Sequence, residues 1–135
     1  MRMNRQPRDR TALHLAAAAP DLRAVAQLLA DGEDPNARDS NGWAPLHFAA
    51  QARSADVVRA LVSAGADIDA VDAYGNTPLS RAVFAAQNDG SAIAALLDSG
   101  ADPHIPNSSG VTPIALAASI SNYPLAAYFG DVSEG

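Results

Sequence analysis

Cysteine and lysine are both absent from this chain of 135 residues, and glutamate occurs only at 33 and 134. Without cysteine there is no disulfide, no thiolate metal site and no cysteine nucleophile, and redox arguments leave the compartment open. Aromatic residues make up only 5% of the chain against 48% apolar residues, so Ala and Leu must fill any core, which requires backbones to approach closely. No apolar run nears the roughly 20 residues of a membrane-spanning helix. The expectation is a soluble, cytoplasmic protein with no membrane partner. Nine Arg against 15 carboxylates leave a formal charge of -6. Counterion release rewards clustered cations, so nucleic acid is not an expected partner.

The length fits one domain. Arg2, Arg5, Arg8 and Arg10 precede the small apolar run 12–19 in the order of a signal peptide. That run contains His14, however, and it belongs to a period that spans the chain. Thr-Ala-Leu-His-Leu-Ala-Ala begins at residue 11, Ala-Pro-Leu-His-Phe-Ala-Ala at 44, Thr-Pro-Leu-Ser-Arg-Ala-Val at 77 and Thr-Pro-Ile-Ala-Leu-Ala-Ala at 112. The first three are each followed by a second apolar cluster, formed by Val25/Leu28/Leu29, Val57/Val58/Leu61/Val62 and Ile93/Leu96/Leu97, and then by Gly32, Gly65 or Gly100. Thr77 and Thr112 suit helix caps, and Pro45, Pro78 and Pro113 suit the first turn, where no amide is lost. The second cluster has the spacing of an amphipathic helix, and its closing glycine suits the left-handed residue beyond a helix end. Connectors rich in Asp, Asn, Ser and Gly then read as projecting turns.

Thr-Pro-Leu-His-x-Ala-Ala is approached most closely at residues 44–50, and Gly-Ala-Asp-Ile-Asp-Ala stands at 65–70. Through these motifs the sequence resembles the ankyrin repeat family over roughly residues 9–130. The resemblance implies an all-α helix-turn-helix solenoid of four stacked units with projecting β-turn or hairpin loops. Its units fall at about 9–41, 42–74, 75–109 and 110–130, between a basic tail at 1–8 and a C-terminal tail at 131–135. One unit cannot bury its apolar face alone, and stacking supplies the core. The departures are Ala12 for proline, Pro20 for glycine, Ser80 for histidine, two extra residues within 86–92, and a fourth copy that stops inside its second helix.

Catalytic and metal chemistry find little support. His14 and His47 occupy one template position, where the family uses imidazole to tie neighbouring units together. His104 reads as an exposed turn residue, since no second histidine lies at ligand spacing. Asp67, Asp69 and Asp72 begin like a calcium loop but lack its glycine and glutamate. No phosphate loop or nucleophile elbow occurs, and no cofactor or metal is expected. Asp34, Asp67 and Asp102, with Asp39 and Asp72, recur in phase and read as turn formers. Beyond residue 10, five Arg face 14 carboxylates, a balance of -9.

Residues that do not repeat are where a repeat protein writes its specificity. Trp43, Tyr74 and Phe84 stand out, since aromatics and Arg dominate binding hot spots. The resemblance places them on a concave surface with Arg10, Arg38, Ser40, Asn41, Gln51, Asn76, Ser108, Ser109 and Val111. Phe48 reads as core, and Arg81, in phase with it, as an oddity near the surface. The expected function is noncatalytic binding of another protein through the concave face, by a protein that is monomeric when free. An inhibitor or immunity-type role against a basic toxin or enzyme is favoured. An adaptor or regulatory subunit is the alternative, and an enzyme with an unrecognised site near Asp102 and His104 is the third reading.

Overall fold

Seven short helices follow the sequence period in a computed structural model that describes residues 10–120 and 122–134. The basic tail expected at 1–8 lies outside the described residues. The first helix of each unit, α1 (Ala12–Ala18), α3 (Pro45–Gln51), α5 (Pro78–Ala85) and α7 (Pro113–Ser119), packs on its counterpart in the next unit. The second helices, α2 (Leu22–Ala30), α4 (Ala55–Ser63) and α6 (Ser91–Asp98), stack behind them in a parallel layer. The result is the all-helical solenoid implied by the repeats, with no β-strand among the described residues.

Local chemistry sets the helix ends. Thr11, Thr77 and Thr112 accept the amide hydrogen three residues on, at 3.3, 3.2 and 3.1 Å. Ala44 has no such oxygen, and there Nδ1 of His47 accepts the Ala44 amide at 3.0 Å instead. Asp21 and Ser54 cap the second helices through their side chains. At the far end of α4, Gly65 takes φ 99°, and the amides of Gly65 and Ala66 bond back to Val62 and Leu61, the pattern of a left-handed helix stop. The connection between α5 and α6 spans 86–90, against 52–54 in the preceding unit, so the two extra residues sit in that loop as expected.

Small residues let the layers close. Ala17, Ala49, Ala50, Ala82 and Ala117 are buried together with Leu13, Leu46, Leu61, Leu79, Ile93 and Leu96, so helix approach replaces aromatic filling. After α7 the chain enters a 3-10 segment, Leu125–Glu134, which packs against α6 and α7 in place of a second α-helix. Pro124 supplies no amide at its start and Gly130 turns the backbone to φ 52°, which keeps the segment from continuing as one α-helix. It continues through 131–134, most of the stretch read from sequence as a tail. Among its described side chains, Leu125 and Phe129 are buried.

The projecting turns share one hydrogen-bond plan. Oδ1 of Asp39 accepts the amides of Asn41 and Trp43, Oδ1 of Asp72 those of Tyr74 and Asn76, and Oδ1 of Asn107 those of Ser109 and Val111, all at 2.9–3.1 Å. Neighbouring turns join through Ala73 N–H to Asn41 O at 3.0 Å and Ser108 N–H to Tyr74 O at 2.9 Å. At Gly75 a Cβ would lie 2.9 Å from the Ser108 nitrogen, so this contact between turns requires glycine. Beneath the turns, Nε2 of His14 donates to Trp43 O at 2.8 Å and Nε2 of His47 to Asn76 O at 2.9 Å. Each Nδ1 accepts an amide of its own unit, from Thr11 or Ala44, which fixes the hydrogen on Nε2. Both histidines thus tie successive units together.

Leu61, fully buried in α4, should lose about 2–5 kcal/mol of stability on change to Ala, whereas Leu15→Ala, at a side chain 51% exposed, should stay within about 0.5 kcal/mol; chemical denaturation of both variants checks this. Burial lowers the pKa of His47 from 6.5 to about 4, outweighing the Asn76 carbonyl and the Asp72 carboxylate, which pull it upward. The unfolded chain therefore takes up this proton near pH 6.5 and the folded chain only near 4. Stability held by neutral His47 is complete above pH 6.5 and falls as the pH drops toward 4, by about 3 kcal/mol. A His47→Gln variant should lose that part of the pH dependence in a series of denaturation curves.

Candidate functional site

The first helices and the turns enclose an open cleft of about 360 Å³. Asn41, Trp43 and Tyr74 reach it from the turns, Phe48, Gln51 and Arg81 from α3 and α5, and Arg10 from the residue before the Thr11 cap. Leu15, Phe48, Arg81 and Leu116 hold one place in the period. Leu15 is half exposed there, so this position is open to solvent and not sealed in the core. Phe48 is accordingly only half buried and forms part of the cleft wall rather than the interior.

The cleft is built as a stack. The Arg10 guanidinium carbon sits 4.8 Å from the Phe48 ring centroid, Phe48 lies 4.7 Å from Trp43, and the Arg81 guanidinium carbon lies 4.6 Å above Trp43. Arg10 and Trp43 are template equivalents, as are Phe48 and Arg81. At successive unit junctions cation and ring therefore exchange places, and each junction gains a cation–π contact worth about 1 kcal/mol. Phe84 extends the stack, its ring 5.8 Å from Arg81.

Both guanidiniums are held from behind. Oδ2 of Asp39 accepts Nε and Nη2 of Arg10 at 3.3 and 3.1 Å, and Oδ2 of Asp72 accepts Nε and Nη2 of Arg81 at 3.0 and 2.6 Å. The two carboxylates have no exposed surface. A buried carboxylate is stable only with its oxygens satisfied. Here one oxygen organises the turn and the other orients an arginine, so the turn and the cleft wall are one construction.

Five residues expected at the binding surface, Arg10, Asn41, Trp43, Gln51 and Tyr74, come together in the cleft. Tyr74 is 65% exposed. Arg38 and Ser40 are exposed on the same turn, but Arg38 is occupied in joining turns, its Nη1 donating to Val71 O at 2.8 Å. Phe84 is exposed beside the cleft, and Ser108, Ser109 and Val111 lie on the last turn, outside its lining. Asn76 does not belong on the surface. It is only 5% exposed, its backbone bonded to His47 and Asp72 and its Oδ1 accepting from Asn107.

Charge is distributed in a way the total does not reveal. Asp21, Asp31, Asp56 and Asp98 belong to the second helices or their ends, behind the inner layer. Asp34, Asp67 and Asp102 accept local amides in the connectors, and Asp39 and Asp72 are buried. A helix layer is about 10 Å thick, and Coulomb interaction weakens with distance. The cleft lining itself holds two arginines and no carboxylate, so the total charge is no guide to the sign of a partner group at contact range there. His104 is exposed and its amide bonds to Asp102. Among the described residues no cluster of three or more His, Asp or Glu could hold a metal, and no helix is long and apolar enough to cross a membrane.

A stack of helix hairpins joined by projecting turns defines a repeat protein of the interaction-scaffold class. The family description "Ankyrin repeats (3 copies)" matches residues 13–87, and "Ankyrin repeat" matches 74–108. The chain belongs to the ankyrin repeat family, whose units serve as protein–protein interaction modules. No curated protein matches the sequence.

Trp43 is the sole tryptophan and reports directly on the stack. Asp72→Asn keeps an Oδ1 for the turn, as Asn107 does, but turns an amide toward Arg81. The variant should retain its helical circular dichroism, lose about 1–3 kcal/mol of stability and shift the emission of Trp43 as Arg81 leaves its ring. Circular dichroism, denaturation and fluorescence of the one variant check the three in turn.

Proposed function

We propose that this protein is a noncatalytic binding module whose concave face receives a segment of a partner protein at the Trp43 cleft. One observation carries the reading: the cleft wall is already assembled without a partner, with Trp43 and Phe48 stacked between arginines that buried aspartates orient. Prepositioned side chains lose little freedom on association, which leaves more of the contact energy as affinity. Trp, Tyr and Arg are also the side chains most enriched among binding hot spots. Tyr74 and Gln51 frame the opening and are exposed, so they meet a partner without being needed for the stack.

An inhibitor or immunity-type role, covering the active site of an enzyme or toxin, is the finer form of this reading. A preformed face favours a one-to-one complex with little rearrangement. The alternative, an adaptor, would hold several proteins at once. Capture from native extract with wild-type and Tyr74→Ala/Gln51→Ala baits, followed by light scattering of the purified complex, separates them. Tyr74→Ala should weaken the captured interaction by about 2 kcal/mol with its melting temperature within a degree or two of wild type. A partner retained equally by both baits would place binding elsewhere on the molecule, and a persistent multi-protein assembly would favour the adaptor.

A further inference from the structure

Every polar residue lining the cleft can donate a hydrogen bond. Arg10, Arg81, Asn41, Gln51 and Tyr74 all carry N–H or O–H groups, and none of the seven lining residues bears a carboxylate. The nearest carboxylates, Asp39 and Asp72, are sealed beneath the wall with each oxygen accepting two hydrogen bonds. Each ion pair therefore directs its positive end toward the cleft and its negative end toward the core. Arg81 uses Nε and Nη2 on Asp72, while its Nη1 donates to no described residue.

The alternatives fit this wall poorly. Aromatic rings in a cleft commonly receive a cation, but here the chain's own guanidiniums already cover Phe48 and Trp43, and an incoming Lys or Arg would meet like charge. A wholly apolar side chain would strip water from the Arg81 edge and the Asn41 and Gln51 amides without replacing their hydrogen bonds, which is unfavourable. A carboxylate answers both the charge and the donors, and an arginine edge held in place binds it with directional, charge-assisted bonds.

We infer that the Trp43 cleft accepts the side-chain carboxylate of an Asp or Glu on the partner protein, with Arg81 as its principal donor. The inference rests on the concave-face reading above and names the chemistry that the face selects. It also reverses the partner charge expected from net composition: an acidic body presents a locally cationic socket, and that socket sets specificity at contact range.

The test uses a phage library of random 12-residue peptides displayed with a blocked C-terminus, so that only side-chain carboxylates are offered. Panning on the full-length wild-type protein should enrich peptides sharing an Asp or Glu. Replacing that residue in a synthetic peptide by Asn or Gln should weaken binding at least tenfold, as read from Trp43 fluorescence. Arg81→Met alone leaves Asp72 buried without its cation, so the companion variant is Arg81→Met/Asp72→Asn, in which the turn keeps the arrangement seen at Asn107. In that double variant the acidic peptide and its amide analogue should bind alike. Selected peptides with no acidic preference, or an acid-to-amide difference that survives in the double variant, overturn the inference. If such peptides still lose binding on Tyr74→Ala, the concave-face reading stands without it. If panning yields no peptide sensitive to Tyr74→Ala, both fall.

Discussion

The structure turns on a carboxylate that has no contact with water. Asp39 and Asp72 each gather two turn amides on one oxygen and one arginine on the other. Remove the amides and the turn loses its shape; remove the arginine and an unbalanced charge is left in the interior. The requirement is local to those two turns. At the third turn the same place holds Asn107, which serves the amides as a neutral group and passes its NH₂ to Asn76. No arginine accompanies it, and the residue in phase with Arg81 is Leu116. The cationic wall exists only where the fold has buried an anion.

Folding chemistry and recognition chemistry are thereby joined. A turn carboxylate calls for a cation, the cation needs a flat surface to rest on, and an adjacent unit supplies an aromatic ring at the matching height. Arg10 rests on Phe48 and Arg81 on Trp43, the roles reversed between consecutive junctions. Neither arginine has many rotamers left once paired and stacked, so the face it presents is a fixed feature of the solenoid. A repeat protein can change this face by altering one residue in a turn and one in a first helix, leaving the alanine-lined contact between helices untouched.

The sequence made the architecture legible because its signals repeat. A threonine cap, a proline in the first turn, a histidine and a closing glycine say little singly, yet recurrence at a common period fixes the helix hairpins, the turns and the loop that lengthens before Gly90. The end of the chain was less legible, since Pro124 and Gly130 redirect the last segment into 3-10 geometry that no internal copy provides as a template. The site was legible in part. Trp43 and Tyr74 stand out as unrepeated aromatics, while Phe48 is hidden by its likeness to Leu15, and Asn76 looks like a turn polar residue although it supports two neighbouring units. What identifies Phe48 is its partner rather than its type: comparing residues at equivalent places in adjacent units puts Arg10 beside Phe48 and Trp43 beside Arg81.

Net charge misleads here for a related reason. Composition counts every aspartate equally, but those at 39 and 72 are neutralised inside the fold, those at 34, 67 and 102 accept local amides, and those of the second helices lie behind a full layer. Distance across that layer weakens their Coulomb interaction with a ligand at the cleft. Short-range groups then decide, and they are arginine, amide and phenol. In a two-layer solenoid the outer helices can carry solubilising charge of one sign while the inner face displays the other, so the sign of the whole molecule and the sign of its binding surface are independent quantities.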